Sequence, residues 1–303
     1  VCGGLRLYLM QFAMAFKIIG VLLILFSTAM LPSLFLSLAA KDGIESAFAT
    51  GLATTLFAGV MLWLPTRHLS RDLNIRDGFL VTALFWIVLG LFGAIPLWLS
   101  PGLELSPVAA IFESISGLTT TGATVITGLD TLPQSILLYR QLLQWLGGIG
   151  IIVLAVAILP MLGIGGMQLY RAESAGPSKD RKLTPRITST AKALFGIYLL
   201  LTIACTASYF AAGMSAFDAV CHAFSTVAIG GFSTHDASLG YYEQNRVLLV
   251  SSVFMLLSAV NFGLHFIALQ RRNVRVYARD SETAFFITVI ALATVVVCCL
   301  LLT

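Results

Sequence analysis

The stretch SISGLTTTGATVITG, at positions 114–128, holds the residues whose types could do chemistry in an apolar setting. Three consecutive threonines, Thr119, Thr120 and Thr121, precede Gly122, and no acid, base or aromatic residue is present. Hydroxyl and carbonyl oxygens are all that the stretch offers, and such oxygens can replace the water shell of a cation. A catalyst would need paired acids, a nucleophile with a base, or clustered metal ligands, and the apolar segments provide none. The residues therefore argue against an enzyme. The alternative for the stretch by itself is a threonine-rich turn at a helix end.

The composition places this stretch in a membrane protein. The chain has 303 residues, of which 58% are hydrophobic and 11% charged, with a mean hydropathy of +0.94. A soluble domain carries roughly 25% charged residues. The five cysteines form no CxxC pattern and are interpreted as small apolar residues: Cys2, Cys205, Cys221, Cys298 and Cys299. The net charge of +4 is not taken as a sign of nucleic-acid binding.

Seven apolar stretches are long enough, at about 20 residues, to cross a bilayer. They lie at about 13–38, 46–64, 78–99, 136–160, 187–212, 246–269 and 283–302. Two shorter segments, 107–118 and 215–227, each lead into a loop of small residues. They are too short to cross and are predicted to be re-entrant half-helices. The lead before Met10 is too short for a cleaved signal peptide, so the first span is expected to be retained.

Basic residues alternate between the loops and orient the spans. Twelve of the eighteen lie in every second loop: Arg67, Arg71, Arg76, Arg171, Lys179, Arg181, Lys182, Arg186, Arg271, Arg272, Arg275 and Arg279. The positive-inside rule places these loops in the cytoplasm and opens both half-helices to the outside. Arg140 is expected at the outer interface. The segment 171–186 is predicted to dock a cytoplasmic partner, or else to be a plain linker.

When the chain is shifted by 109 positions, its order of span, half-helix, glycine-bearing loop and span matches itself. Gly122 then falls on Gly231, and the second loop reads STVAIGGFST, at positions 225–234. Both units run in the same direction, so this is a parallel repeat around an axis normal to the membrane. A carrier with alternating access would instead predict inverted repeats and polar breaks in the spans.

The half-helices carry start signals and point their C-terminal ends at the loops. Ser106 before Pro107 is typical of an N-cap, and Ser215 with Asp218 has the spacing of a capping box. The dipole places about half a negative elementary charge at each loop, which favours a cation. Backbone carbonyls can then coordinate the ion, and a glycine such as Gly122 permits the unusual backbone angles.

Three stretches resemble the Trk/Ktr/HKT superfamily of potassium transporters, in particular its bacterial Trk-type uptake subunits. They are ESISGLTTTGAT, YRQLLQWLGGIGIIVLAVAILPMLGIGGMQLYRAE and DAVCHAFSTVAIGGFSTHDASLGYY. The resemblance covers 10–303 and implies an all-α integral membrane fold. That fold consists of parallel M1–pore helix–M2 repeats with re-entrant pore loops, as in potassium channels. The implied activity is potassium uptake across the bacterial inner membrane. K⁺ is then the transported ion, and no tightly bound cofactor is expected.

The resemblance also assigns units and site residues. The units are two N-terminal helices at 10–68, a first repeat at 75–170 with its filter at 119–124, a second at 184–272 with its filter at 228–233, and the first helix of a third at 280–303. The residues carried over as K⁺ ligands are Thr120, Thr121, Gly122, Ile229, Gly230 and Gly231. Those expected to support the filter are Thr119, Ala123, Glu113, Ala228 and Phe232. Intact glycines imply a preference for K⁺ over Na⁺.

The superfamily works as a homodimer, and a cytoplasmic nucleotide-binding regulatory subunit of the TrkA type gates it. One departure is that half the filter and the gating loop of the third repeat are absent here. The chain is therefore expected to be a fragment of a longer protein. The alternatives are that two chains complete one filter, or that the chain conducts nothing.

Four further predictions concern residues near the loops. Glu113 is expected either to raise the cation potential or to hydrogen-bond the filter loop from behind, and His222 occupies the matching position. His265 is interpreted as a packed or cavity-lining histidine. Glycines around Gly147 are expected to let helices pack closely: Gly147, Gly148, Gly150, Gly163, Gly165 and Gly166. A hinge near Pro160 is the weaker alternative for that region.

Overall fold

The computed structural model describes the backbone of residues 2–69, 75–158 and 183–302 and the side chains of 13–69, 80–150 and 191–301. Apolar runs without interior turn signals make the regular structure of these ranges helical. In chain order the helices are α1 Cys2–Ser27, α2 Leu31–Ala40, α3 Glu45–Thr66, α4 Ile75–Leu99, α5 Pro107–Leu118, α6 Gln134–Ile158, α7 Leu183–Ala212, α8 Ala216–Ala228, α9 Asn245–Ala259, α10 Phe262–Arg271, α11 Arg275–Arg279 and α12 Ser281–Leu302. Short 3₁₀ turns occupy Thr28–Met30, Leu129–Thr131 and Ser238–Tyr241.

Within the described residues, five helical segments are long and apolar enough to cross a membrane, or up to six if the bent pair α9–α10 is one span. The five are Ala13–Ala40, Glu45–Thr66, Leu80–Leu99, Ala191–Ala212 and Ser281–Leu301. α6 occupies the predicted span at 136–160, although its later side chains lie outside the described residues. The predicted all-α membrane class is confirmed.

The expectation of an unbroken span at 246–269 is wrong. α9 ends at Ala259, and α10 leaves it at an angle of 92°. Asn261 caps α10, because its side-chain oxygen accepts from the Gly263 amide at 2.9 Å. His265 Nε2 donates to the Leu257 carbonyl at 2.8 Å, on the far side of the break. Side chains thus satisfy the backbone groups that the bend leaves without helical partners. Because one span is broken at a polar residue, the continuity of the spans is no longer an argument against a carrier with alternating access.

α6 lies at the centre of the fold, in contact with α5, α7 and α8. A Cβ on Gly147 would overlap the Leu118 carbonyl oxygen, and one on Gly148 would lie 3.2 Å from the Ala228 Cβ. The predicted close packing at these glycines is confirmed. It brings α6 against the C-terminal ends of both half-helices. The core on one side joins α1 and α3 to the first repeat, and a second apolar cluster fills the other repeat.

Several predictions fall on residues that the structure does not describe. Gly163, Gly165 and Gly166, the hinge near Pro160, and the side chains of segment 171–186 lie outside the described residues. α12 is described, and none of its apolar window is buried within the chain. Its exposed side chains include Phe285, which is 73% exposed.

Candidate ion site

Each half-helix begins at a serine and ends at a loop. Ser106 Oγ accepts from the Ala109 amide at 3.2 Å, and Ser215 Oγ accepts from the Asp218 amide at 3.1 Å. Both predicted N-caps are confirmed. α5 and α8 then run as short apolar helices whose last carbonyls face the two loops. The negative end of each helix dipole therefore lies at a loop.

The two loops follow the same backbone path. Thr120 and Ile229, which are 109 positions apart, both have φ near +54°. Gly122 has φ +76° and its counterpart Gly231 has φ +88°, angles that side chains with a Cβ rarely adopt. The following loop amides also return to equivalent carbonyls. The Thr121 amide donates to the Ser116 carbonyl at 2.9 Å, and the Gly230 amide donates to the Ser225 carbonyl at 2.8 Å. The repeat in the sequence is therefore a repeat in backbone geometry.

The two loops also touch. A Cβ added at Gly122 would overlap the Gly230 carbonyl oxygen and would lie 3.4 Å from the Gly231 Cα. Two glycine-bearing loops with the same fold are thus placed side by side. In the sequence, this contact is indicated only by the glycine at position 122, which has no side chain to separate the loops.

Few carbonyl oxygens of the two loops are paired within the described residues. The Ser116 hydroxyl donates to the Ala123 carbonyl at 2.6 Å, and Arg140 Nη1 donates to the Ser233 carbonyl at 3.2 Å. Six others accept no hydrogen bond from the residues described: those of Thr120, Thr121, Gly122, Ile229, Gly230 and Gly231. Carbonyls that lack a protein donor and are grouped at two helix ends are open to water or to a cation.

The threonine hydroxyls hold the first loop to its half-helix. Thr119 Oγ1 donates to the Ile115 carbonyl at 2.8 Å and shares a hydrogen bond of 2.8 Å with Thr121 Oγ1. The Thr119 hydroxyl is therefore engaged with α5 and holds the loop to its half-helix. The loop carbonyls and the Thr120 hydroxyl, which makes no hydrogen bond with the described residues, are left as the available oxygens.

Behind the first loop lies a buried ion pair. Arg140 Nε is 2.8 Å from Glu113 Oε1, and both side chains are 0% exposed. Glu113 Oε2 accepts from the Val125 amide at 3.0 Å, and its carboxylate also accepts from the Thr124 hydroxyl at 2.9 and 3.0 Å. Glu113 therefore binds the loop from behind. The expectation that Arg140 lies at the outer interface is wrong, because Glu113 draws it into the interior.

The second repeat has a neutral version of this support. His222 Nδ1 donates to the Asp218 carbonyl at 2.9 Å, which leaves Nε2 to accept from the Ser233 hydroxyl at 2.9 Å. His222 and Ser233 correspond, at a shift of 109 positions, to Glu113 and Thr124. Sequence reasoning missed Thr124 and Ser233 as loop supports. The shift of 109 positions that pairs Gly122 with Gly231 also pairs Thr124 with Ser233, and both carry a hydroxyl.

α6 supports both loops from one helix. Gln144 Oε1 accepts from the Phe232 amide at 3.1 Å. One turn earlier, the Arg140 guanidinium lies 4.4 Å from the centre of the Phe232 ring, within reach of a cation–π contact. Phe232, predicted to support the filter, is thus held by two α6 side chains. Gln144 was not singled out from the sequence, because a lone amide in an apolar run carries no pattern.

The outer ends of the two loops are clamped together. His235 Nδ1 lies 2.5 Å from Asp130 Oδ1, and the Asp236 carboxylate accepts from the Leu129 amide at 3.0 Å. The hydrogen bond with His235 holds the pKa of Asp130 below its usual range. Thr234 Oγ1 donates to Asp218 Oδ1 at 2.7 Å, which ties the second loop to the start of its own half-helix. Sequence reasoning missed this clamp.

Comparison with known proteins identifies relatives over nearly the whole chain. The family described as "TrkH: Cation transport protein" matches residues 44–303. The Trk system potassium uptake protein TrkH of Halomonas elongata is 56% identical over 282 residues, which is 93% of this chain and 58% of that protein. The TrkH of Escherichia coli K12 is 52% identical over 293 residues, 97% of this chain and 60% of that protein.

A solved structure shares the fold. The crystal structure of the potassium transporter TrkH from Vibrio parahaemolyticus superposes with a TM-score of 0.86 at 49% sequence identity. The match covers 94% of this chain and 58% of that one. The chain thus spans about three fifths of the length of the relatives it matches.

Proposed function

The chain belongs to the TrkH family of cation transport proteins, and we propose that it supplies two loops of a filter through which potassium ions cross the bacterial inner membrane. The ligands are the backbone carbonyls of Thr120, Thr121 and Gly122 and those of Ile229, Gly230 and Gly231. The observation that carries the proposal is that these six oxygens lie in two touching loops of matching backbone path and accept no hydrogen bond from the described residues.

Carbonyl ligands suit transport because they replace water without holding the ion tightly. A carboxylate in the same place would bind a cation strongly and slow its release. Here the Glu113 carboxylate is paired with Arg140 and accepts from the loop, so it stabilises the loop shape. The half-helix dipoles supply a partial negative charge at both loops. The half-helix dipoles thus attract the cation, and the carbonyl ligands still allow it to leave.

The assembly is part of the proposal. The chain works as a homodimer, and a cytoplasmic nucleotide-binding subunit of the TrkA type docks on inner loops such as 171–186. The relatives are named as Trk system proteins, which is in accord with a system of several components. The basic residues of segment 171–186 offer the charge that an acidic docking surface would need.

The test is growth of a potassium-uptake-deficient bacterium on low potassium. Gly122→Ser would be made in this chain and at the aligned position of the longer Vibrio parahaemolyticus relative. The matched control is Gly128→Ser, because Gly128 has φ +74° but an added Cβ would meet only Thr131 Oγ1 at 3.6 Å. Both substitutions carry the same backbone strain, and only the first places atoms between the two loops.

We expect Gly122→Ser to abolish rescue wherever the parent rescues, and Gly128→Ser to retain it. Membrane insertion would be checked by quantifying each protein in the membrane fraction. Rescue that survives Gly122→Ser contradicts the filter. If neither parent rescues although both reach the membrane, the assignment to potassium uptake is wrong.

A further inference from the structure

A pocket lined by arginines lies beyond the broken span, on the side predicted to face the cytoplasm. Its volume is about 250 Å³, and its lining includes Arg271, Arg275, Arg279 and Asp280. Three guanidinium groups and one carboxylate give it a formal charge of +2. This charge lies outside the loops that coordinate the ion, and the proposed potassium path makes no use of it.

The arginines have no counter-charge from the described residues. No ion pair or side-chain hydrogen bond of Arg271, Arg275 or Arg279 is present there. Asp280 does not serve them, because its Oδ2 accepts from the amide and the hydroxyl of Thr283, each at 2.8 Å. That carboxylate caps α12. Like charges gathered around one cavity repel unless an anion joins them.

Tight turns hold the pocket in shape. After α10 the chain turns at Arg272, which has φ +49°, and the Asn273 amide returns to the Ala268 carbonyl at 3.1 Å. The Asn273 side-chain oxygen then accepts from the Arg275 amide at 2.9 Å and starts α11. His265 Nδ1 bonds the Tyr277 hydroxyl at 2.8 Å and fastens α11 to α10. The arginines are therefore presented by fixed backbone.

Exposed apolar side chains lie close in sequence to the arginines of the pocket. Leu269, two residues before Arg271, is 56% exposed, and Val274, directly before Arg275, is 77% exposed. α12 starts at the pocket and carries an apolar surface away from it. Cationic groups beside exposed apolar ones are typical of the boundary between lipid headgroups and acyl chains.

We propose that this pocket binds the phosphodiester headgroup of an anionic phospholipid of the inner leaflet, with the acyl chains along Leu269, Val274 and α12. The guanidinium groups supply paired N–H donors that match phosphate oxygens. A bound lipid neutralises the cluster and joins α10, α11 and α12. The inference does not depend on potassium transport, since it concerns binding alone.

The experiment is lipid binding to the protein purified in a neutral, non-ionic detergent. Phosphatidylglycerol and phosphatidylcholine with the same acyl chains would be titrated, with native mass spectrometry to count bound lipid and thermal unfolding to report stabilisation. Variants would be the single changes Arg271→Gln, Arg275→Gln and Arg279→Gln and their triple combination. Arg272→Gln is the matched control, because Arg272 is exposed beside Arg271 but does not line the pocket.

We expect phosphatidylglycerol to bind in preference to phosphatidylcholine. Each single change should weaken that binding roughly fivefold and the triple change about a hundredfold, as expected for one surface arginine each. Arg272→Gln should bind as the parent does. The single variants keep the test valid if the triple variant fails to fold.

Three results would overturn the proposal. Equal binding of phosphatidylcholine, or equal weakening by Arg272→Gln, would mean non-specific attraction. The same stabilisation by inorganic phosphate alone would assign the pocket to a soluble anion. Tighter binding of poly-glutamate than of phosphatidylglycerol, lost in the triple variant, would assign it to an acidic protein partner.

Discussion

Arg140 and Glu113 form an ion pair of 2.8 Å that is fully buried and joins the two repeats. Glu113 holds the first loop through the Val125 amide, while the same arginine donates to the Ser233 carbonyl of the second loop. One side chain from α6 thereby sets the distance between both loops. This ion pair fixes the relative position of the two loops, because Glu113 and Arg140 have all their hydrogen-bond partners only when both loops are in place.

Arg140→Gln should destabilise the protein strongly, because it leaves the Glu113 carboxylate buried without its counter-charge. Breaking one partner of a buried pair costs about 3–5 kcal/mol. Thermal unfolding in detergent would measure the loss. The double variant Glu113→Gln, Arg140→Gln should lose less than Arg140→Gln alone, because no charge is then stranded. Strictly additive losses would show that the two side chains are not coupled.

Gly147→Ala should destabilise the protein, and Gly196→Ala should not. A Cβ at Gly147 would overlap the Leu118 backbone carbonyl at the end of α5, so two helices must separate. Overpacking of this kind costs about 1–3 kcal/mol or more. A Cβ at Gly196, in α7, meets no atom within 4 Å, and alanine in a helix gains about 0.5–1 kcal/mol. Equal melting temperatures for the two variants would contradict the packing of α6 on α5.

Gln144→Leu should reduce stability by about 1–3 kcal/mol, because the Phe232 amide loses its only described acceptor. The neighbouring Gln141 provides the control. It is fully buried, and neither of its amide atoms has a hydrogen-bond partner among the described residues. Gln141→Leu should therefore be neutral or stabilising. Denaturation of both variants in one detergent would compare them, and a larger loss for Gln141→Leu would rule out this account.

The sequence predicted the parts of the site that depend on local chemistry. Ser106 and Ser215 were recognisable as caps, since capping needs only residues within one turn. Gly122 and Gly231 were recognisable because two positions with the same backbone demand recur at a fixed shift. Lengths of apolar runs placed the five spans that the described residues contain, and the family resemblance supplied the fold class.

The parts that were missed depend on partners distant in the chain. Hydropathy alone placed Arg140 at the membrane surface, because Glu113 is 27 positions away and only the fold brings the two together. The break before Asn261 was missed for a similar reason. One polar residue in an apolar run is ordinarily tolerated, and the contact from His265 back to Leu257 exists only after folding.

Asp130→Asn should destabilise the outer clamp at neutral pH and have no effect in acid. The hydrogen bond with His235 lowers the pKa of Asp130, so its stabilisation is complete above the ordinary aspartate pKa of about 3.9 and is lost as pH falls through the lower folded value. Melting temperatures of parent and variant should therefore differ above the ordinary aspartate pKa and converge as the pH falls through the lower pKa of Asp130 in the folded protein. Glu243→Gln controls for removal of an outer carboxylate, because Glu243 makes no hydrogen bond or ion pair with the described residues. A difference that persists undiminished in acid would mean that the Asp130 carboxylate does not hold the clamp.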